Sequence, residues 1–376
     1  MTQEPTLSVR AVELREVAIP LVRPFRTSFG EETQKRAILV RAITDDGEGW
    51  GECVSSDEPR YSEEWLEGSW MALERWMSPA VVSEVHRPDQ VASALRWIRG
   101  HRMAKAALEA AVLDGWLRMA GVSLSSHLGG VRDRVPCGVR VGIAPTAEAM
   151  LEEILGYLSK GYRRVKLKIE PGRDLAVVRT IREALPDTPL SVDANGAYTP
   201  ADTPLFEALD ELGLMMMEQP LDTEDLLDHA ALQARLRTPI CLDESIRSAR
   251  DALAAVRLEA CRIINIKPGR VGGILEAKRV HDVAFGSNVP VWIGGMLETG
   301  VGRAANLALA SMPGVTLPGD TSASDRYFRE DLTEPFVLSP DGTMPVPAAP
   351  GIGVEPLPEH LRRCTVRTSH ISARST

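Results

Sequence analysis

Five charged residues recur at almost one interval along the middle of the chain. They are Lys168, Asp193, Glu218, Asp243 and Lys267, separated by 25, 25, 25 and 24 residues. Three carboxylates brought to one place repel and raise one another's pKa. A hard divalent cation removes that conflict, and an all-oxygen donor set favours Mg²⁺ over zinc or copper. Asp193, Glu218 and Asp243 are therefore the candidate ligands, with Mn²⁺ or Co²⁺ as possible substitutes. Lys166 and Lys168 lie two apart on one strand and face the same way. Each lowers the other's pKa, and a lysine tuned in this way acts as a general base. A substrate lodged between Lys168 and Lys267 has one amine on each face of its reacting carbon. A metal-bound carboxylate acidifies the proton on its α-carbon, and the metal stabilises the enediolate left behind. One lysine takes the proton. The other returns one on the opposite face, which is racemisation, or stands by while a group leaves, which is elimination. The plainer reading is three unrelated surface acids, with lysines in ordinary salt bridges. Three acids in phase, flanked by lysines in the same phase, weigh against it.

The elements that must position these residues are legible in the texture of the chain. After Arg134, eight short apolar runs recur: CGVRVGI, RVKLKI, PLSVDAN, LMMMEQP, PICLDES, RIINIKPG, PVWIGG and GVTLPGD. Amphipathic stretches such as AEAMLEEILGYLSKG separate them. A period near 25 with one strand and one helix is a βα repeat, and eight in a row predict a closed parallel barrel. The C-terminal ends of such strands converge on one mouth. No GxGxxG follows a first strand, and GVGRAANLAL is a weak match in the seventh unit. No His lies at a strand end, which disfavours a His-rich metal site. Upstream, SVRAVELREVAI, AILVRAIT and GEGWGEC read as an antiparallel sheet with a turn at Asp45-Asp46-Gly47. Residues 62–121 read as mostly helical, with His101–Met119 the clearest helix. Strands then helices make an α+β unit. The Pro- and Gly-rich tail from Ser324 is expected to return to the N-terminal domain. Its last residues, RRCTVRTSHISARST, read as loosely ordered.

Composition excludes several classes. The 376 residues are 44% hydrophobic and 25% charged, as in a globular enzyme-sized chain. The formal charge is −9, without a Lys/Arg block, so neither nucleic acid nor an anionic membrane is an expected partner. No run of 18 apolar residues occurs. MTQEPTLSVR lacks the basic and apolar regions of a secretory signal, so a cytoplasmic location is expected. Cys53, Cys137, Cys241, Cys261 and Cys364 form no CxxC pair and read as reduced thiols.

With KLK, VDAN, EQP, LDES and IKPGRVGG at this spacing, the barrel resembles the enolase superfamily, muconate-lactonising subgroup. PFRTSFG, GWGEC, GHRMAKAALE, PCGV, EQPL, TPICLDES, NIKPGRVGG, GGMLETG and LPGDTSASDR are similar to the o-succinylbenzoate synthase / N-succinylamino acid (N-acylamino acid) racemase family. The resemblance implies an α/β protein, a modified TIM barrel (β/α)7β with an α+β capping domain formed by the N-terminal segment and C-terminal tail. The expected division is cap 1–134, barrel 135–323 and tail 324–376. It implies Mg²⁺ on Asp193, Glu218 and Asp243, Lys168 as base on one face, and Lys267 as its partner or as stabiliser of the enediolate. Lys166 would hold the substrate carboxylate or assist Lys168, and Asn195 would lie beside that carboxylate. Loops around Phe25–Gly30 and Ser55–Tyr61 would close over the substrate. Gly295, Met296, Asp320, Thr321 and Ser322 would line the side-chain pocket, and Arg270 would tune Lys267. A homo-oligomer acting on a small-molecule carboxylate is implied.

One residue departs from that pattern. Arg140 stands near the end of the first barrel strand, where a small residue, typically Ser, is expected. It either favours a second substrate carboxylate, such as a succinyl group, or turns toward an acid at the barrel edge. Among alternatives, a mandelate-racemase-type catalyst needs a His where WIGGMLETG has none. A dipeptide epimerase needs an Asp-x-Asp pair where GDTSAS stands. Another muconate-lactonising-type cycloisomerase, or a binding protein without turnover, remains. A buried charge cluster destabilises unless used, which counts against the last.

Overall fold

A computed structural model describes residues 6–27, 30–82 and 84–373, the side chains of residues 25–27, 30 and 31 excepted. The chain opens with β1 (Val9–Thr27), β2 (Gly30–Thr44) and β3 (Gly47–Cys53), antiparallel neighbours with the expected turn at Asp45 and Asp46. The AILVRA run of β2 is buried on both faces, and strand periodicity divides it. Ile38, Val40 and Ala42 join the core formed with the cap helices, while Ala37 and Leu39 join the barrel core. The expected helical stretch is broken into Leu66–Ala72, a π-helical turn Leu73–Met77, Ser78–Val81, Pro88–Ala94 and Arg102–Ala120. The last of these lies directly on β3. A Cβ at Gly49 would collide with the Ala111 carbonyl, and one at Gly51 with the Ala107 carbonyl. The glycines of GWGEC thus exist to let a helix touch a strand.

After β4 (Arg134–Pro136), seven parallel strands follow in sequential order. They are β5 (Val139–Val141), β6 (Val165–Lys168), β7 (Leu190–Asp193), β8 (Met216–Glu218), β9 (Ile240–Leu242), β10 (Ile263–Ile266) and β11 (Val291–Ile293). Intervening helices start at the side-chain caps Thr146, Asp174 and Ser248. The eighth expected strand, GVTLPGD, is not one. It makes single parallel bridges, Val315 to Val291 on the edge strand β11 and Gly319 to Cys137, two residues before the other edge strand β5. Pro318 has no N–H to give a ladder, and a Cβ on Gly319 would press on the Ile293 carbonyl.

The tail returns as expected, through β12 (Thr343–Pro345) on β4 and β13 (Thr365–Ser372) on β1. The expectation that the last residues are loosely ordered is corrected here as far as Ser372, residues 374–376 lying outside the described residues. Alternate residues of VRTSHIS are half-buried and exposed, and the strand covers an edge that β1 would otherwise leave unpaired.

Two buried acids fasten the N-terminal segment to the barrel. Glu52 accepts hydrogen bonds from the Thr299 N–H at 3.0 Å, the Thr299 hydroxyl at 2.7 Å and the Gly302 N–H at 2.9 Å. Glu109 accepts one from the Leu275 N–H at 3.0 Å. Both sit at helix N-termini, where anions are favoured. Burial nevertheless pushes Glu109 up to about 7, partly offset by its backbone donors. A carboxyl with a raised folded-state pKa binds protons more tightly when native, so stability falls as pH climbs from about 4.5 to 7. Glu109→Gln removes this proton uptake. Relative to wild type, E109Q is expected to gain about 2–3 kcal/mol between pH 5 and pH 8. Denaturant melts at the two pH values measure it; parallel stability profiles would contradict the assignment.

Candidate active site

Strand register delivers the five in-phase residues to one rim. Lys168 pairs laterally with Asp193, and Asp193 with Glu218. Asp243 and Lys267 each follow the last residue of their strand. Three non-glycine residues with left-handed backbone also gather at strand ends: Asn195 (φ 46°), Gln219 (φ 38°) and Leu297 (φ 60°). Such strain persists where surrounding structure enforces it, commonly at functional sites. Gln219 shows how: its side chain accepts from the Asp243 and Ser245 N–H groups at 3.0 and 3.2 Å, tying two strand ends together.

The three acids are buried, with Asp193 and Glu218 1% exposed and Asp243 fully enclosed. Burial of a carboxylate demands a counter-charge, and lysines of the neighbouring strands supply it. Lys166 Nζ lies 3.0 Å from Asp193, 2.8 Å from Glu218 and 2.7 Å from Asp320. Lys168 Nζ lies 2.7 Å from Asp193 and also donates to the Asn195 side-chain oxygen Oδ1. Lys267 Nζ lies 2.6 Å from Asp243, which Arg270 also holds. Among the described residues, no group of three or more His, Cys, Asp or Glu side chains is gathered as a metal cluster. The expected convergence of the three acids on one point is thus replaced by three lysine-paired acids on adjacent strand ends. The donor chemistry still suits a hard divalent cation. The donors are oxygens, Asp193 and Glu218 already share one cationic group, and the buried Glu244 Oε2 has no hydrogen-bond partner.

The lysines do not titrate alike. Burial, reinforced by Lys166, pushes Lys168 below the ordinary lysine value despite Asp193. Burial also opposes charge on Lys267, but Tyr61, Glu244, Glu218 and Asp193 outweigh it and hold that pKa above the ordinary value. Lys166 is likewise raised, because Asp320, Glu218 and Asp193 overcome its burial. The expectation that Lys166 and Lys168 depress each other therefore applies to Lys168 alone.

A cavity of about 310 Å³ opens at this rim, a size suited to a small molecule. Lys168, Lys267, Asn195, Arg140, Met296 and Tyr61 border it. Other expected wall residues lie behind it. Lys166 is enclosed by its three acids. Arg270 donates to the Ile246 carbonyl at 2.8 Å and to the Asn265 carbonyl. Asp320 pairs with Arg164 and Lys166, Thr321 is buried, and Ser322 donates to the Gly138 carbonyl at 3.4 Å. Gly295 presents its carbonyl to Arg140 at 3.0 Å. Arg140 thus borders the cavity while anchored to the rim, and Tyr327, Asp320 and Glu298 hold its pKa up against burial. The side chain of Phe25 lies outside the described residues.

Sequence reasoning missed several participants. Arg164 shares the inward phase of Lys166 and Lys168, so the two-residue period pointed to it. It is fully buried, with its guanidinium 4.4 Å from the Trp292 ring. Asn265, whose Nδ2 donates to Glu218 at 2.9 Å, sits two before Lys267 and was accessible by the same rule. Tyr61 closes the loop expected over the substrate, but its contacts with both Lys267 and Asp243 carried no such signal.

A capped parallel barrel with paired acids and amines at its strand ends defines the class. The chain belongs to the mandelate racemase / muconate lactonizing enzyme family of the enolase superfamily. Residues 9–129 match the mandelate racemase / muconate lactonizing enzyme N-terminal domain, and residues 149–360 the enolase C-terminal domain-like model. The chain is 55% identical to an N-succinylamino acid racemase of Amycolatopsis sp over 96% of its length and 98% of that protein. It is 49% identical to an o-succinylbenzoate synthase of Geobacillus kaustophilus, over 93% and 94% of the two chains. A crystal structure of an enolase superfamily member from Listeria innocua superposes with a TM-score of 0.93 at 38% identity, covering 97% and 99%. Among the described residues, no helix is long and apolar enough to cross a membrane.

Proposed function

We propose that this chain removes the proton α to a substrate carboxylate with the help of Mg²⁺. It would serve as an N-succinyl- or N-acylamino acid racemase, as an o-succinylbenzoate synthase, or as both. One observation carries the reading: two lysines from different strand ends, Lys168 held by Asp193 and Lys267 held by Asp243, border one cavity. A base and an acid are then present together. Asp193, Glu218 and Asp243 would hold the Mg²⁺, which when bound polarises the substrate carboxylate as a Lewis acid. Lys168 Nζ, in its neutral form, accepts the α-proton. Asn195 orients that amine through its side-chain oxygen. Lys267 Nζ donates a proton to the other face in racemisation, or stabilises the developing negative charge in dehydration. Arg140 adds a fixed positive charge on the cavity wall and favours a substrate with a second carboxylate. Lys166 acts behind the wall, as the counter-charge that keeps Asp193 and Glu218 ionised and close.

The division into cap 1–134, barrel 135–323 and tail 324–376 belongs to this reading, supported by the return of β13 to β1. A cytoplasmic location is supported by five free thiols, four of them buried.

The test uses wild-type enzyme with Mg²⁺ in D₂O. Each enantiomer of N-succinylphenylalanine is followed by NMR for loss of the α-proton and by polarimetry for inversion. Formation of 2-succinylbenzoate by dehydration is followed in parallel by absorbance. Exchange with inversion, or dehydration, is the expected result. No exchange with any N-acylamino acid, together with no dehydration, would overturn the reading.

A further inference from the structure

The two cavity lysines are held in matching ways, by one carboxylate and one neutral oxygen each. For Lys168 these are Asp193 and Asn195, neighbours on a single strand end. For Lys267 they are Asp243 Oδ2 at 2.6 Å and the Tyr61 hydroxyl at 3.2 Å. The Tyr61 hydroxyl in turn donates to Asp243 Oδ1 at 3.2 Å, which closes a triangle. The Tyr61 ring also lies beneath the ammonium, its centroid 4.7 Å from Nζ. The two arrangements differ in origin. Asn195 belongs to the barrel, whereas Tyr61 belongs to the loop between β3 and the helix Leu66–Ala72, on the N-terminal segment.

We propose that Tyr61 is a positioning residue for Lys267, so that proton transfer on the Lys267 face requires the docked N-terminal loop while transfer on the Lys168 face does not. The inference rests on the two-lysine chemistry set out under Proposed function. An ammonium has three N–H bonds. Asp243 and Tyr61 engage two of them and leave the third for the cavity. A lysine stem is long and rotamer-rich, so one carboxylate alone leaves the head free to swing. The aromatic face and the hydroxyl restrict that swing, the first by cation–π attraction and the second by a charge-assisted hydrogen bond.

The experiment compares wild type, Lys267→Ala, Tyr61→Phe and Tyr61→Leu. Initial loss of the α-proton in D₂O with Mg²⁺ is measured by NMR for each enantiomer of N-succinylphenylalanine separately. The enantiomer served by Lys267 is the one whose exchange Lys267→Ala abolishes. Tyr61→Phe is expected to slow exchange from that enantiomer about tenfold. Exchange from the other enantiomer stays within about twofold of wild type in the same sample, which also reports that the variant is folded. Tyr61→Leu, which removes the ring as well, deepens the one-sided loss. Equal slowing from both enantiomers in Tyr61→Phe, as loss of substrate affinity or of loop structure would produce, overturns the proposal. So does unchanged exchange from both. Absence of exchange from either enantiomer in wild type would instead overturn the underlying function, and the proposal with it.

Discussion

Stripping divalent ions with EDTA is expected to lower turnover of N-succinylphenylalanine by at least about a thousandfold, and added Mg²⁺ or Mn²⁺ to restore it. A thousandfold is about 4 kcal/mol of barrier, within the range a Lewis acid supplies. The physical need is visible at the rim. Asp193, Glu218 and Asp243 are buried and already matched by Lys166, Lys168, Lys267 and Arg270. Amines alone leave an α-proton too weakly acidic for a lysine to remove. A divalent ion adds positive charge next to Lys168, whose pKa burial has already lowered, and favours its neutral form further. An incoming carboxylate restores the charge balance. Asp193→Asn should reproduce much of the loss without rescue by Mg²⁺ at low concentration. Turnover that survives exhaustive chelation would remove the metal from the account.

The period near 25 marks all five charged residues in the sequence, because barrel geometry repeats with the βα unit. It could not say which partner each side chain takes. Lys166 and Lys168 look equivalent in the sequence, yet one is sealed among three acids and the other borders the cavity. Their pKa displacements consequently run in opposite directions. The pairing of Asp320 with Arg164 and Lys166 crosses from the eighth unit to the second, a distance that local spacing does not encode. The same holds for Tyr61, which reaches the rim from the N-terminal segment. The glycines of GWGEC had a reason that only the helix pressed against them reveals. GVTLPGD read as a strand on its apolar residues, and its Pro318–Gly319 pair was the overlooked signal. VRTSHIS has no apolar alternation, since Val366 and Ile371 fall on opposite faces, so its pairing with β1 was not legible in the text of the chain.

The second large effect concerns the amines themselves. Lys168→Ala and Lys267→Ala are each expected to abolish racemisation, by at least about a thousandfold, since general acid–base groups contribute on the order of 10²–10⁴. Neither substitution empties the site of charge: Asp193 keeps Lys166, and Asp243 keeps Arg270. Both variants should therefore fold and bind. What separates the lysines is the face each serves. Removal of one leaves the other able to take a proton from its own side, so exchange without inversion survives for a single enantiomer.

That pattern is the most direct test of the central claim, that two amines flank one carbon. Wild type, Lys168→Ala and Lys267→Ala are incubated in D₂O with Mg²⁺ and each enantiomer of N-succinylphenylalanine, and the α-proton signal is followed by NMR. The account predicts reciprocal losses, with Lys168→Ala exchanging only one enantiomer and Lys267→Ala only the other. Loss of exchange from the same enantiomer in both variants would place both amines on one side and contradict it.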